Sequence, residues 1–258
     1  MQKDITGWLI KFGIGYEKEC DTMTNKEVME HIKGGLIVSC QALENEPLYR
    51  PEGGVMPLMA KAAQMGGAKG IRANTVRDIT QIKEIVKLPV IGIIKKEYPR
   101  SRIYITTTMK EADELVDAGV DILAFDGTET TRPDGAMPAD FIKEIKDKYP
   151  DQLLMADIAR VEEAQICADA GVDFVGTTLF GYTPETQGHD SLNLQLIKEL
   201  VANVSCNVIA EGHVHYPEQA RKCLECGAYA VVVGGAITRP MEITARFVSE
   251  MRKFSLSR

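Results

Sequence analysis

Two segments near the end of the chain have the residue types of a phosphate-binding site. Glu211-Gly212 follows the apolar run NVIA, and Gly234-Gly235 follows the apolar run AYAVVV. A helical pattern begins a few residues after each segment. Glycines at the junction of a strand and a helix leave backbone N–H groups open to an anion. The sequence therefore predicts a phosphate cradle at Gly212, Gly234 and Gly235, with the carboxylate of Glu211 beside whatever carries the phosphate.

Lys95 is a second residue that could do chemistry. It follows the apolar run PVIGII and precedes a loop, so its ammonium group should emerge from an apolar collar. Such surroundings lower the pKa of a lysine and let it act as an acid, a base or a Schiff-base nucleophile. Pairing with a phosphate or a carboxylate is the alternative role. A lysine and a carboxylate such as Glu211 that face one substrate suit removal of a proton next to a carbonyl group.

Further polar residues stand directly after apolar runs elsewhere in the chain. A single charged residue in such a position is usually only the start of a solvated loop. In a barrel of parallel strands, however, these positions converge on one face, where charges without partners are costly unless they are functional. The members of this set are Gln41, Arg72, Asn74, Asp126, Asp157, Thr177 and Thr178.

Eight short apolar runs must position these side chains. Each run is nearly all apolar, which is typical of strands buried on both faces of a parallel sheet. Helical patterns lie between the runs, for example Val76, Ile79, Ile82 and Val86. The last helical pattern places Phe247, Met251 and Phe254 on one face. This alternation predicts a single α/β domain, a (β/α)8 TIM barrel over residues 34–258. A doubly wound open sheet is the alternative, although it would not require eight repeats. The runs are residues 36–40, 70–73, 89–94, 121–125, 153–156, 173–177, 207–210 and 228–233.

The composition argues against several classes of partner. The formal net charge is −7, whereas a nucleic-acid surface needs a clustered basic face. No apolar run approaches the roughly 20 residues that span a bilayer, so we expect no membrane association. The six cysteines are scattered along the chain, which is typical of reduced thiols in a cytoplasmic protein.

Residues 1–33 are predicted to be an N-terminal extension that precedes the barrel. Residues 1–22 show little periodicity, whereas the amphipathic pattern TNKEVMEHIKGG follows Met23. One hypothesis is that Met23 is the true start and that residues 1–22 are translated leader. The alternative is an appended segment that packs on the barrel.

Two short motifs resemble metal sites but have simpler explanations. The histidines of His213-Val-His215 have no matching spacing to the other histidines, and the pair Cys223 and Cys226 lies in a helical pattern without a second cysteine pair. We therefore predict no metal site. The loops 127–137 and 180–189 are rich in Gly, Pro and Thr and follow strand ends. They are predicted to be lids or substrate walls, or else subunit contacts.

Seven motifs, in order along the chain, resemble those of the N-acetylmannosamine-6-phosphate 2-epimerase family. The resemblance runs from about Gly34 to the C-terminus and leaves out most of the N-terminal extension. The motifs are IVSCQAL (37–43), IRAN (71–74), PVIGIIK (89–95), MADI (155–158), TTLFGYTP (177–184), IAEG (209–212) and VVGGAITRP (232–240).

This resemblance implies a homodimeric isomerase, a carbohydrate epimerase that uses no metal and no cofactor. It would interconvert N-acetylmannosamine 6-phosphate and N-acetylglucosamine 6-phosphate during sialic-acid breakdown. Lys95 and Glu211 resemble the catalytic acid/base pair of the family, and the three cradle glycines resemble its phosphate-binding backbone. The predicted substrate-binding residues are Gln41, Arg72, Asp157 and Arg239, to which we add the strand-end residues Asp126 and Thr178.

The chain departs from the family pattern after Glu211-Gly212. The family often has arginine at the position of His213, and His215 is also unusual, so a phosphate contact is expected to be weakened or re-routed. One competing function is another phosphate-binding barrel enzyme, such as a thiamine-phosphate or tryptophan-pathway barrel, which shares the glycine cradle alone. A catalytically silent sugar-phosphate sensor would have lost Lys95 or Glu211. An aldolase would form a Schiff base on Lys95.

Overall fold

Eight parallel strands close into a barrel in the computed structural model, which describes residues 23–255 of the chain. Each strand pairs with the next one along the chain, and the last pairs with the first through Ile37 and Val232. This topology confirms the predicted (β/α)8 barrel and rules out the open sheet. The strands are β1 (Leu36–Cys40), β2 (Gly70–Asn74), β3 (Val90–Ile93), β4 (Ile122–Asp126), β5 (Leu153–Asp157), β6 (Phe174–Gly176), β7 (Asn207–Ala210) and β8 (Ala230–Val233).

Helices separate the strands. Within the part of the chain that the structure describes they are α1 (Asn25–Ile32), α2 (Val55–Met65), α3 (Val76–Ile85), α4 (Met109–Asp117), α5 (Pro138–Lys148), α6 (Val161–Asp169), α7 (Leu194–Asn203), α8 (Pro217–Glu225) and α9 (Pro240–Ser255), with a 3₁₀ turn at Thr177–Leu179. The predicted apolar stripe of α3 lies on the barrel, since Ile79 and Ile82 are fully buried. Over residues 23–255, no helix is both long enough and apolar enough to span a bilayer.

The inside of the barrel is a packed core, and α1 belongs to it. Ile37, Met155 and Phe174 fill the interior, and Val28 and Ile32 of α1 join the same apolar cluster. Thr24 caps this helix together with Glu27, which fixes where α1 begins. Residues 23–33 of the predicted extension therefore contribute directly to the barrel core. The hypothesis that residues 1–22 are translated leader concerns a segment outside the described residues.

Helix α9 differs from the other barrel helices because none of its side chains from residue 240 to 254 is buried. The apolar residues predicted to share one face are instead largely exposed, with 68% for Phe247, 71% for Met251 and 66% for Phe254. Met241, near the start of α9, is also 56% exposed. On α2, Leu58 and Met65 lie seven residues apart and are 68% and 44% exposed. A barrel helix normally buries its apolar stripe against the sheet, so α9 carries an apolar surface that the barrel itself does not cover.

Candidate active site

A cavity of about 300 Å³ opens where the strands end, at the face that carries the chemistry in barrels of this type. The sequence predictions bring together most of its lining. The predicted site residues that line it are Gln41, Arg72, Lys95, Thr178, Glu211, Gly212, Gly234, Gly235 and Arg239. Asp157 and Asp126 are not part of this lining. Asp157 bonds the lining residue Arg72, whereas Asp126 bonds Thr128.

Arg72 forms the centre of a buried ion network. Its guanidinium group meets both oxygens of Asp157, with Nη1–Oδ1 at 2.9 Å and Nη2–Oδ2 at 2.5 Å. Nη1 also donates to Oε2 of Glu211 at 2.8 Å. Burial opposes the charge of Arg72, but Asp157 and Glu211 together raise the pKa of the guanidinium group. The bidentate contact with Asp157 fixes the plane of Arg72 and so the position of Glu211.

Two threonines from the loop after β6 complete this network. Thr178 Oγ1 lies 2.7 Å from Asp157 Oδ1 and 3.1 Å from Glu211 Oε2. Thr177 Oγ1 donates to the backbone oxygen of Glu211 and accepts from its backbone N–H. Burial raises the pKa of the Glu211 carboxyl, although Arg72 acts in the opposite direction. A carboxyl with a raised pKa can both release and accept a proton near neutral pH.

Lys95 follows β3 and is held by its backbone. Its N–H donates to Asn74 Oδ1 at 2.9 Å, and Lys95 pairs with Ile105 in an isolated antiparallel bridge. Within residues 23–255, its ammonium group has no hydrogen bond and no ion pair, although it lines the cavity. Burial, with the nearby cations Arg72 and Arg239, lowers the pKa of Lys95. The sequence predicted this lowering from the apolar collar.

Asp126 is buried in a different environment from the cavity residues. Its Oδ1 accepts from the N–H and the hydroxyl of Thr128, and burial raises the pKa of the carboxyl to about 6. The following loop is tied down by Arg132, which donates to the backbone oxygens of Thr106, Thr107 and Asp126 and lies 3.6 Å from the Phe141 ring centroid. No residue of this described loop, 127–137, lines the cavity. The loop therefore does not have the position expected of a lid or a substrate wall.

The cradle predicted from the glycines lies between β7 and β8. Gly212 has φ 93°, a conformation that favours glycine, and Gly234 packs beside Ser39. A Cβ at Gly235 would meet the carboxylate of Glu242, so the end of that side chain lies directly against the glycine. Arg239 Nε donates to Glu46 Oε1 at 2.5 Å. Backbone groups and Arg239 thus surround the end of the cavity at which the sequence predicts a phosphate site.

Three titratable side chains of the cavity lining, Tyr104, Tyr182 and Glu242, were not predicted as site residues from the sequence. Tyr104 lies on a segment that folds back on the end of β3, where Lys96 N–H donates to the Tyr104 backbone oxygen. Burial raises the pKa of Tyr104 to about 12, so the phenol stays protonated at neutral pH. Tyr182 comes from loop 180–189 and stacks on His213 with 5.5 Å between ring centroids, so this loop does form a wall of the cavity. The third residue is Glu242 of α9.

The two motifs that resemble metal sites are the pair Cys223 and Cys226 and the pair His213 and His215. Cys223 is buried in α8, and both Cys223 and Cys226 are free thiols. His213 and His215 line the cavity. Among residues 23–255, no group of three His, Cys, Asp or Glu side chains is arranged to hold a metal ion.

Comparisons with known proteins agree on one family. The family described as "Putative N-acetylmannosamine-6-phosphate epimerase" matches residues 56–253. A relative from Enterobacter sp. (strain 638), named "Putative N-acetylmannosamine-6-phosphate 2-epimerase", is 52% identical over 235 residues, covering 90% of this chain and 99% of its own. A relative of the same name from Borrelia garinii subsp. bavariensis is 53% identical over 229 residues, covering 88% of this chain and 98% of its own.

Solved structures give the same result. The N-acetylmannosamine-6-phosphate 2-epimerase from Clostridium perfringens is 46% identical, with a TM-score of 0.82 over 91% of this chain and 99% of that one. The thiamine phosphate pyrophosphorylase from Pyrococcus furiosus, with 15% identity and a TM-score of 0.57 over 84% of this chain and 92% of that one, shares only the fold.

Proposed function

This chain belongs to the N-acetylmannosamine-6-phosphate 2-epimerase family, and we propose that Lys95 and Glu211 move the proton on C2 of the bound sugar. The reaction interconverts N-acetylmannosamine 6-phosphate and N-acetylglucosamine 6-phosphate, which differ only in the configuration at C2. In the open-chain sugar, C2 lies next to the C1 aldehyde, so its proton is acidified. Removal of that proton gives an enolate, and return of a proton to the opposite face inverts C2.

The unpartnered ammonium group of Lys95 is the observation that carries this proposal. The other charged side chains in the cavity lining have partners within residues 23–255, whereas Lys95 Nζ has none. A lysine without a partner, in surroundings that lower its pKa, is ready to exchange a proton with a substrate. The lowered pKa of Lys95 and the raised pKa of Glu211 approach one another, which is the tuning that acid and base pairs require.

Arg72, Asp157 and Thr178 are positioning residues in this scheme. Arg72 and Thr178 hold one oxygen of Glu211 and leave the rest of the carboxyl to the cavity, while Asp157 holds Arg72. The phenol of Tyr104 stays protonated and adds a hydrogen-bond donor to the same cavity.

The opposite end of the cavity suits the 6-phosphate. Gly212, Gly234 and Gly235 supply backbone near the start of α9, and Arg239 lies next to Gly234. Gln41 is 6% exposed, its Nε2 donates to Ser39, and its Oε1 is buried without a partner among the described residues. A buried acceptor of this kind is satisfied by a hydroxyl or amide group of the sugar. The phosphate, rather than side chains that read the sugar, is expected to dominate binding.

Proton NMR of N-acetylmannosamine 6-phosphate with the enzyme in D₂O tests this proposal. The expected result is the gluco epimer with deuterium at C2. Epimer without deuterium would retain the activity but contradict exchange through solvent-accessible Lys95 and Glu211. Absence of turnover would overturn the proposal. Borohydride added with substrate should leave Lys95 unmodified, since the proton-transfer route forms no Schiff base.

The exposed face of α9 supports a homodimer. Phe247 and Met251 are more than half exposed on α9, and Leu58 and Met65 are exposed on α2. Helix α2 follows β1, the strand that pairs with β8 in the closed barrel. Apolar stripes of this kind are costly to leave in water. We infer that α9 of each chain packs on the barrel of a second copy, which covers both stripes.

A cytoplasmic location is the remaining part of the proposal. The five cysteines among residues 23–255 are free, and Cys40, Cys167 and Cys223 are buried. Buried thiols are compatible with a reducing compartment. Measurement of free thiols in protein isolated under alkylating conditions from its native source checks this point, and disulfides in that protein would contradict it.

A further inference from the structure

The arginine charge that lines the cavity is already neutralised. Two arginines line the cavity, and each faces two carboxylates. The pairs are Arg72 with Asp157 and Glu211, and Arg239 with Glu46 and Glu242. The remaining lysine or arginine of the lining is Lys95, which the proposed function assigns to proton transfer. A phosphate dianion therefore enters a site whose fixed arginine charges are compensated, and a buried charge without compensation is unfavourable.

Two histidine side chains of the cavity lining could supply positive charge to a bound phosphate. His213 and His215 line the cavity directly after Gly212. His213 Nε2 and His215 Nδ1 are buried without a hydrogen-bond partner within residues 23–255. Histidine is the side chain whose charge changes most readily between pH 5 and 8. These two side chains can therefore gain positive charge when an anion arrives.

The backbone holds His213 in an unusual conformation. Its φ is 55°, in the left-handed region that residues other than glycine rarely adopt. Its ring stacks on Tyr182 with an interplanar angle of 6°. The loops after β6 and β7 thus fix the imidazole at the rim of the cradle.

We propose that His213 and His215 supply positive charge to the phosphate site by taking up one proton from solution when the sugar phosphate binds. The identity of the ligand rests on the proposed function. One proton is expected for the pair because the two imidazoles are close enough for the charge on one to oppose the charge on the other.

The surroundings of His215 disfavour a positive charge on its imidazole. Burial, then Arg246 and His213, lower the pKa of His215, while Glu242 opposes them. A bound dianion adds a strong interaction that favours the protonated form of a nearby imidazole. By linkage, binding that takes up a proton weakens as the pH rises. The charged groups that act on His215 are Arg246, His213 and Glu242. The titratable side chain stacked on His213 is Tyr182, which itself lies near Glu242, Arg239, Glu211 and Asp190.

Calorimetry with N-acetylglucosamine 6-phosphate and the Lys95→Ala protein tests this proposal. The Lys95→Ala background prevents turnover and removes any proton that Lys95 itself would bind. Near pH 7.5 a sugar phosphate with a pKa of about 6 is already a dianion, so the ligand contributes little proton exchange. Binding enthalpies in buffers of different ionisation enthalpy should give an uptake of about one proton, and Kd should rise by up to about tenfold per pH unit above neutrality.

The double change His213→Asn with His215→Gln should abolish the proton uptake and flatten the dependence of Kd on pH. Asparagine is chosen at 213 because it tolerates the left-handed conformation. If this double variant does not fold, His213→Arg with His215→Gln gives a fixed charge, and its Kd should be low and independent of pH. The matched control is His189→Gln, at an exposed histidine outside the cavity lining, which should retain the uptake.

Binding without proton uptake, or uptake that survives the double change, would overturn the proposal. Neither result affects the proposed function, which fails separately if the unaltered enzyme does not epimerise the sugar phosphate.

Discussion

Arg72 Nη1 lies 2.8 Å from Glu211 Oε2, while Asp157 holds two nitrogens of the same guanidinium group. The three side chains come from β2, β5 and the end of β7 and meet only in the closed barrel. Their exposed side-chain fractions are 1% for Arg72, 0% for Asp157 and 13% for Glu211. The main role of Arg72 is therefore to orient the carboxyl group of Glu211, which borders the cavity.

The change Arg72→Lys should lower kcat by about a hundredfold, because lysine keeps the charge but cannot make the forked contact. We expect kcat to fall more than KM rises. Steady-state kinetics with a thermal unfolding scan separates this effect from loss of fold. Arg77→Lys, at an arginine that pairs with Asp78 on α3, is the matched control. A kcat within twofold of the unaltered enzyme would contradict the positioning role.

The change Lys95→Ala should reduce epimerisation by a factor of about a thousand or more, since it removes a group that exchanges the C2 proton. Deuterium exchange at C2, followed by NMR, should disappear together with turnover. Lys96→Ala is the neighbouring control, because Lys96 is exposed and pairs with Glu111 outside the cavity lining. Full activity of the Lys95→Ala protein would remove Lys95 from the mechanism.

The dependence of kcat on pH should be bell-shaped. Its acidic and alkaline limbs should lie closer together on the pH axis than those of an ordinary carboxyl group and an ordinary amine. Lys95 and Glu211 must share one proton between them, whichever of the two acts as base. Activity is lost at low pH as the pair takes up a second proton, above the ordinary glutamate value of about 4.3, because the pKa of Glu211 is raised. Activity is lost at high pH below the ordinary lysine value of about 10.4, because the pKa of Lys95 is lowered. An alkaline limb at or above the ordinary lysine value would argue against this pair.

The change Asp126→Asn should stabilise the protein at pH 7.5 and have little effect at pH 4. The folded pKa of Asp126 is raised to about 6, above the unfolded value of about 3.9, so the ionised form destabilises the fold as the pH rises through this interval. A shift of this size corresponds to about 3 kcal/mol at most, and a modest gain is expected because Thr128 bonds the ionised form. Denaturant unfolding at the two pH values measures it. Lower stability at pH 7.5 would show that the ionised carboxylate is required.

The double change Phe247→Ser with Met251→Ser should convert a dimer into a monomer, because it removes two large apolar side chains from the exposed face of α9. Light scattering after gel filtration measures the mass. Ser249→Ala, also on the exposed surface of this helix, should leave the mass unchanged. A monomeric unaltered enzyme would contradict the homodimer.

The sequence was sufficient for the barrel and for the residues at strand ends. Strands buried on both faces leave apolar runs with clear ends, so Arg72, Lys95 and Glu211 could be assigned to one mouth before any coordinates. Tyr104 and Tyr182 escaped because they lie on segments without periodicity. Tyr104 reaches the cavity only through the bridge between Lys95 and Ile105.

The burial depth of a side chain and the identity of its partners are harder to predict, because the sequence carries little information on either. Asp126 and Asp157 end neighbouring strands at the same register, yet one bonds Thr128 and the other bonds Arg72. The apolar stripe of α9 was visible as a helical pattern, but apolar periodicity does not show whether the barrel covers the stripe.

Helix α9 begins in the cavity wall and ends in the exposed apolar surface. Glu242, in its first turn, lies against Gly235, and Phe247 and Met251 follow roughly one and a half and two and a half turns later on the same helix. In the proposed homodimer, the partner barrel packs on the far end of α9. This contact also fixes the orientation of Glu242 and Arg239 toward the sugar phosphate. The specific activity of this enzyme should therefore depend on its own concentration and fall when the protein is diluted until the subunits separate.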